Sequence, residues 1–385
     1  MVTVCKEIAY MKLEPFRLER FQSTWEHVVK YNLAESGVQP LNLEELLGDK
    51  EVDEIMKLPL HYVQTNGSFT LRRNIAELYE GTDEDCVLVT SGSSEANFLV
   101  VWSLLEKGDE VLVMLPNYMQ IWGLVKMMGG NVIPLWLSED DGWSLALEEV
   151  KEKVSRKTKL IALCNPNNPT GAVFDQTILR GVCEIAEDTG SWVLCDEVYR
   201  GAELEGNMTP SIWGSYDKAI VSSGLSKAYG LPGLRVGWIV TQKDMTNKLW
   251  SYHDYTTICP SAMSDFVANI ALEPKNRARI LSRTRGILND NWPILERWLN
   301  DHSAIFRYTK PKAGAIVFVK YDVNVNSTLI AERLVKEKSI LVVPGDHFLM
   351  DGFMRIGYGT NARHLELSLD LIADLFQDLL KHEHG

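Results

Sequence analysis

Short apolar runs recur along this chain, and each stops abruptly at small, polar or proline residues. Cys86–Thr90 stops at Ser91-Gly-Ser-Ser94, Asp109–Leu115 at Pro116-Asn-Tyr118, and Lys159–Cys164 at Asn165-Pro-Asn-Asn-Pro-Thr-Gly171. Ser191–Asp196 runs into Glu-Val-Tyr199, and Ala219–Val221 into Ser-Ser-Gly-Leu-Ser-Lys227. Between them lie segments of helical pattern, such as Glu95–Leu105 and Ile178–Glu187. Apolar strands alternating with helices predict an α/β large domain with a mostly parallel sheet flanked by helices. Ser93, Tyr118, Asn168, Asp196 and Lys227 then all fall just past strand ends, the edge where open α/β sheets bind ligands.

Each of these ends carries usable chemistry. A strand, a small-residue turn and a helix start at Ser93 and Ser94 make an anion site, because unpaired amides and the positive helix end face outward. Serine is also a common helix cap with no ligand at all. Tyr118 stands where it could stack on a planar ring. The two X-Pro steps and final glycine of Asn165–Gly171 fix a rigid loop whose asparagine amides can bond outward. A carboxylate ending an apolar strand, Asp196, has to be paired or protonated; it is a partner for a ring N–H or else a helix cap. Lys227 resists burial as a permanent ammonium. It fits if its amine is used covalently, as a Schiff base with a carbonyl compound. On a bare Ser-x-Lys, a surface lysine on a glycine-rich loop is the simpler alternative. Further on, Arg355 sits in Phe-Met-Arg-Ile-Gly, and its planar fork matches a carboxylate unless it is merely a strand-end surface group.

Asn165-Pro-Asn-Asn-Pro-Thr-Gly171, Asp196-Glu-Val-Tyr199 and the stretch Ser226-Lys-Ala-Tyr-Gly-Leu-Pro-Gly-Leu-Arg-Val-Gly-Trp238 together resemble the class I/II aminotransferases. These are fold type I pyridoxal-phosphate enzymes related to aspartate aminotransferase, and the resemblance runs from about residue 30 to the C-terminus. It implies pyridoxal 5'-phosphate as cofactor, with Lys227, Asp196 and Tyr199 as the catalytic set. Lys227 would carry the cofactor, Asp196 hold its ring nitrogen, and Tyr199 and Asn168 bond its ring oxygen. Tyr118 would stack on the ring; Ser93, Ser94 and Arg235 would bind the phosphate. Asn168 and Arg355 would hold the substrate, Arg355 by its α-carboxylate, with a backbone amide near Gly37 and Val38 assisting. Tyr62, five residues before Gly67, would reach across a homodimer interface to the partner's phosphate; by its residues alone it is equally an aromatic half-buried before a turn. One departure stands at Gly224, where the family usually has serine or threonine on the phosphate; Ser226 or Ser223 substitutes there. The implied activity is a ping-pong transfer of an amino group between an L-amino acid and a 2-oxo acid. The alternative is another outcome on the same scaffold, such as a lyase, cyclase or oxidase.

Length, charge and cysteine usage bound the rest. The 385 residues suit one large or two moderate domains, and 45% hydrophobic content buries a real core. We expect an N-terminal arm and part of a small domain over 1–45, the large cofactor domain over 46–270 and a smaller α+β domain over 271–385. Expected within these are a helix at Leu18–Val29, a β segment at Leu234–Val240, a long link over Trp250–Ala271, and a helix from Pro274 to Leu299 bent at Pro293. A net charge of −13 opposes nonspecific nucleic-acid binding. No apolar run is long enough for a membrane helix, and Met1–Glu7 lacks a signal peptide's apolar core, so a cytoplasmic enzyme is expected. The six cysteines are scattered without C-x-x-C pairs, which predicts neither a metal nor a disulfide framework.

Overall fold

The computed structural model describes residues 13–383; Cys5 and the Met1–Glu7 start lie outside them. The apolar runs form β1 (Tyr31–Asn32), β2 (Val87–Thr90), β3 (Glu110–Leu115), β4 (Asn131–Trp136), β5 (Thr158–Cys164), β6 (Trp192–Asp196), β7 (Ala219–Gly224) and β8 (Gly237–Val240). The later part adds β9 (Phe306–Tyr308), β10 (Ile316–Tyr321), β11 (Ile340–Leu341), β12 (Val343–Pro344) and β13 (Phe353–Gly357). Seven strands make the main sheet, in the order β2-β8-β7-β6-β5-β3-β4. The pairs β3/β4, β3/β5, β5/β6 and β6/β7 are parallel, while β8 runs against both β7 and β2. Every residue of β2 and β7 is buried. Burial on both faces is why these strands read as unbroken apolar runs, not as alternating ones.

Register aligns the strand ends at one edge. Cys164 pairs with Asp196, Asp196 with Ser222, and Gly224 with Gly237. The segment Leu234–Val240 is not all strand. Pro232–Leu234 forms a 3-10 turn, Arg235 takes a left-handed conformation (φ 51°), and β8 starts only at Gly237. The turn sends the Arg235 side chain back towards Gly92.

A second, antiparallel sheet has the order β12-β13-β10-β9. The helices Pro274–Asp301 and Ala362–Glu383 pack together beside it. The first of these runs unbroken past Pro293, with Leu288, Trp292 and Leu295 buried around it. Tertiary packing there offsets the backbone hydrogen bond that proline removes. The Trp250–Ala271 link is helical at both ends, in Lys243–His253 and Ala262–Leu272, and interrupted around Pro260.

The N-terminal arm begins with a helix over Arg17–Trp25, four residues short of Val29. A turn follows, in which Val28 N and Val29 N both donate back to Trp25 O, and the chain then enters β1, which pairs in parallel with β11. Leu33 N–H donates to Leu341 O (2.8 Å), and Leu33 O accepts from Gly357 N (2.7 Å). Arg17 forms an ion pair with Asp346 at 2.9 Å. No helix among the described residues is long and apolar enough to cross a membrane.

Candidate active site

A cavity of about 310 Å³ opens where the carboxyl edge of the main sheet faces the arm and the second sheet. Ser93, Ser94, Tyr118, Asn168, Asp196, Tyr199, Ser226, Lys227, Arg235 and Arg355 all line it, though they come from well-separated stretches of chain. Tyr62, Gly37 and Val38 are not among its lining residues. Tyr62 is 81% exposed, so it is not half-buried before a turn. Val38 is buried in the core. The Gly37 amide, expected to face a substrate, donates instead to Glu35 Oε1 at 2.9 Å.

The turn after β2 is built to approach its neighbours closely. Gly92 has φ 81°, and a Cβ there would lie 2.4 Å from Arg235 Nη2. A Cβ on Gly237 would lie 2.3 Å from the Gly92 carbonyl carbon, and one on Gly224 would lie 2.9 Å from Val236 O. Gly224, where a hydroxyl residue was the family expectation, is thus held to glycine by the packing of β7 on β8. Ser226 takes the place in the cavity wall, with its Oγ 3.5 Å from Arg235 Nη1. The turn leads into the twelve-residue helix Ser93–Leu104, whose first amides point at this corner. Glu95 braces it from behind, accepting from Ser91 N and from Thr256 and Thr257 hydroxyls.

Asp196 accepts from Asn97 Nδ2 at 3.0 Å and from Val198 N at 3.1 Å. Burial moves its carboxyl up from its ordinary value, against the pull of those two donors. A carboxylate so placed stabilises a proton on a ligand nitrogen facing it. Tyr199 donates to Ser36 Oγ at 2.9 Å, and Tyr118 to Glu19 Oε1 at 2.7 Å. Burial pushes both phenols up, so they remain donors at neutral pH.

Arg355 is 1% exposed. Its Nη1 donates to Asn168 Oδ1 at 2.8 Å and its Nη2 to Ala34 O at 2.5 Å, while its Nε is buried with no protein partner. Lys227 Nζ lies 2.7 Å from Glu35 Oε1, which also accepts from Ser36 N at 2.9 Å. Burial would raise the Glu35 carboxyl, but the Lys227 ammonium and the Gly37 amide hold it down at about 2. Burial would lower the Lys227 ammonium, and Glu35 outweighs it, moving it up.

The donor set fits pyridoxal phosphate on chemical grounds: a helix start with an arginine for an anion, a half-buried carboxylate for a ring nitrogen, and a primary amine on the same cavity. The family model for class I and II aminotransferases matches residues 50–371. The chain belongs to this family. As a class I/II aminotransferase it uses pyridoxal phosphate. It is 29% identical to the "probable aspartate aminotransferase" of Methanocaldococcus jannaschii, over 90% of this chain and 96% of that one. It is 30% identical to the capreomycidine synthase of Streptomyces vinaceus, over 92% and 91%. The solved structure of a PLP-dependent aminotransferase from Streptococcus suis superposes with a TM-score of 0.90 at 34% identity, covering 96% of this chain and 99% of that one.

Sequence reasoning missed Asn97, Glu19, Gln22, Glu26 and Glu35. Asn97 sits one turn into the helix that starts at Ser93, so the anion-site motif already pointed at its neighbourhood. Glu19, Gln22 and Glu26 follow the i, i+3, i+7 spacing that shares one helix face, and that face lines the cavity. Glu35 lies in the arm beside Gly37, with no local pattern to mark it.

Proposed function

We propose that this aminotransferase moves an amino group between an L-amino acid and a 2-oxo acid by a ping-pong sequence, with the cavity as its active site. The observation that carries this is the convergence of a lysine amine, a half-buried carboxylate and a buried arginine on one cavity. When bound, pyridoxal phosphate supplies the electron sink for a carbanion at the substrate Cα. Ser93, Ser94, Ser226 and Arg235 would hold its phosphate, Asp196 would keep a proton on its ring nitrogen, and Tyr118 would lie against its ring. Asn168 and Tyr199 would bond its ring oxygen. Arg355 docks the substrate α-carboxylate, its fork already oriented by Asn168 and Ala34. Lys227 is the covalent anchor. Its Nζ, when free, would take the proton from the substrate Cα and later return one, as base and then acid.

We extend this to a homodimer with Tyr62 at the shared surface. Tyr62, Leu60, Met56, Tyr255 and Ile258 are exposed apolar side chains, and such surface favours a partner. A second outcome on the same scaffold, such as a lyase or cyclase, is supported by the likeness to a capreomycidine synthase, a relative not named as an aminotransferase.

One titration separates the two outcomes. The cofactor-loaded protein is given single amino acids without any oxo acid, and its visible absorption is followed. Bleaching with one equivalent of 2-oxo acid supports amino transfer. A persistent band with product accumulating over many turnovers overturns it in favour of the lyase or cyclase outcome.

A further inference from the structure

Three glutamates in the cavity wall have no role in the chemistry above. Glu19 and Glu26 come from the arm helix and its C-terminal end, and Glu35 from the extended segment after it. The cations lining the same cavity are Lys227, Arg235 and Arg355. In the proposed function all three have other work with substrate bound: Lys227 at the substrate Cα, Arg235 on the phosphate and Arg355 on the α-carboxylate. Glu35 is charged at neutral pH because Lys227 sits against it. Glu26 stands 3.5 Å from His27, whose side chain is 88% exposed, and Glu19 is met by the Tyr118 hydroxyl. Neither of these partners is a fixed positive charge.

Arg355 lines the cavity, and its Nε has no protein partner; in the proposed function its guanidinium receives the ligand's carboxylate. A ligand anchored there meets acidic side chains from the arm. Resting on the proposed function, we propose that the substrate is an L-amino acid whose side chain ends in a cation, selected by Glu19, Glu26 and Glu35. A guanidinium suits this wall well, because its planar fork pairs with carboxylates in two bonds at once. A dicarboxylic amino acid would meet the same wall with like charge, and no cation lining the cavity is left to receive its distal group.

The test uses ligands that lack an α-amino group and so cannot react. The cofactor-loaded protein is titrated calorimetrically with δ-guanidinovalerate, hexanoate and adipate, which share a carboxylate and a similar length. The guanidino acid is expected to bind at least about tenfold tighter than hexanoate, with adipate weakest. Glu35→Gln and Glu26→Gln are expected to shrink the preference for the guanidino acid severalfold each. Equal or tighter binding of hexanoate or adipate to the unsubstituted protein overturns the proposal, whatever the variants do. So does the absence of binding by all three, even when amino acids still bleach the visible band. Failure of the protein to take up pyridoxal phosphate at all would sink the proposed function as well, and is seen before any ligand is added.

Discussion

At the sheet edge the functional groups hang from several different strand ends, whereas Glu19, Glu26 and Glu35 hang from one short helix and the segment that follows it. The edge groups are held by backbone register: Cys164 beside Asp196, Asp196 beside Ser222, Gly224 beside Gly237. The arm groups are held by docking, through β1 on β11 and Arg17 on Asp346. A sheet edge shifts only if the whole sheet does, so it suits steps common to every substrate. A docked arm can change its side chains without disturbing any strand, so it suits the choice among substrates.

That division is broken most directly at Lys227. Lys227→Ala is expected to cut turnover by about 10⁴-fold or more for every amino acid tested, because both the covalent anchor and the proton carrier are lost. Single-turnover assays across neutral, acidic and basic amino acids check this; a loss confined to one class would erase the contrast. Arg355→Ala should raise KM by about 100-fold, again for all amino acids alike, since it removes charge-assisted bonds to a group they share. A steady-state panel that showed KM unchanged would place the α-carboxylate elsewhere.

Gly237→Ala probes the edge without touching its chemistry. Its Cβ would strike the Gly92 carbonyl, so the turn has to move and pyridoxal phosphate should bind about tenfold more weakly. Fluorescence titration of the cofactor-free protein reads this, and unchanged affinity would show that the turn yields freely. The smallest effect is expected at Glu95. Burial would raise its carboxyl, but bonds from His253, Thr256 and the Ser91 amide hold it down at about 2, below its ordinary 4.5. A depressed carboxyl adds stability above its unfolded value and loses it as pH falls towards the folded one. Stability against chemical denaturant should therefore fall steadily from about pH 4.5 down to about pH 2, and Glu95→Gln should flatten that fall. At neutral pH the variant should cost about 1–2 kcal/mol.

The two regions also differ in how far the amino-acid sequence discloses them. Strand ends are punctuated: an apolar run buried on both faces stops at serine, glycine, proline or asparagine, and the next residues face the ligand edge. That is why Ser93, Asn168, Asp196 and Lys227 stand out in the sequence and do meet at one cavity. The start of β8 is harder to read, because Leu234-Arg235-Val236 has a strand's composition while the 3-10 turn before it and the positive φ of Arg235 come from tertiary contact. The arm is harder still. Its helix has nine residues, and which face turns inward depends on where β1 docks, a two-residue pairing with a strand some 300 positions away. Gly37 illustrates the same limit, since its amide is taken by a neighbouring carboxylate that no spacing rule singles out.

The link from Ala34 O to Arg355, with Gln22 Nε2 donating to the same carbonyl at 3.0 Å, has a mechanical consequence. Arm and second sheet are bolted together at the point where the carboxylate clamp sits. The carboxylate clamp and the acidic wall are thereby held at a fixed spacing, like the two points of a calliper set to one length of ligand from carboxylate to side-chain tip.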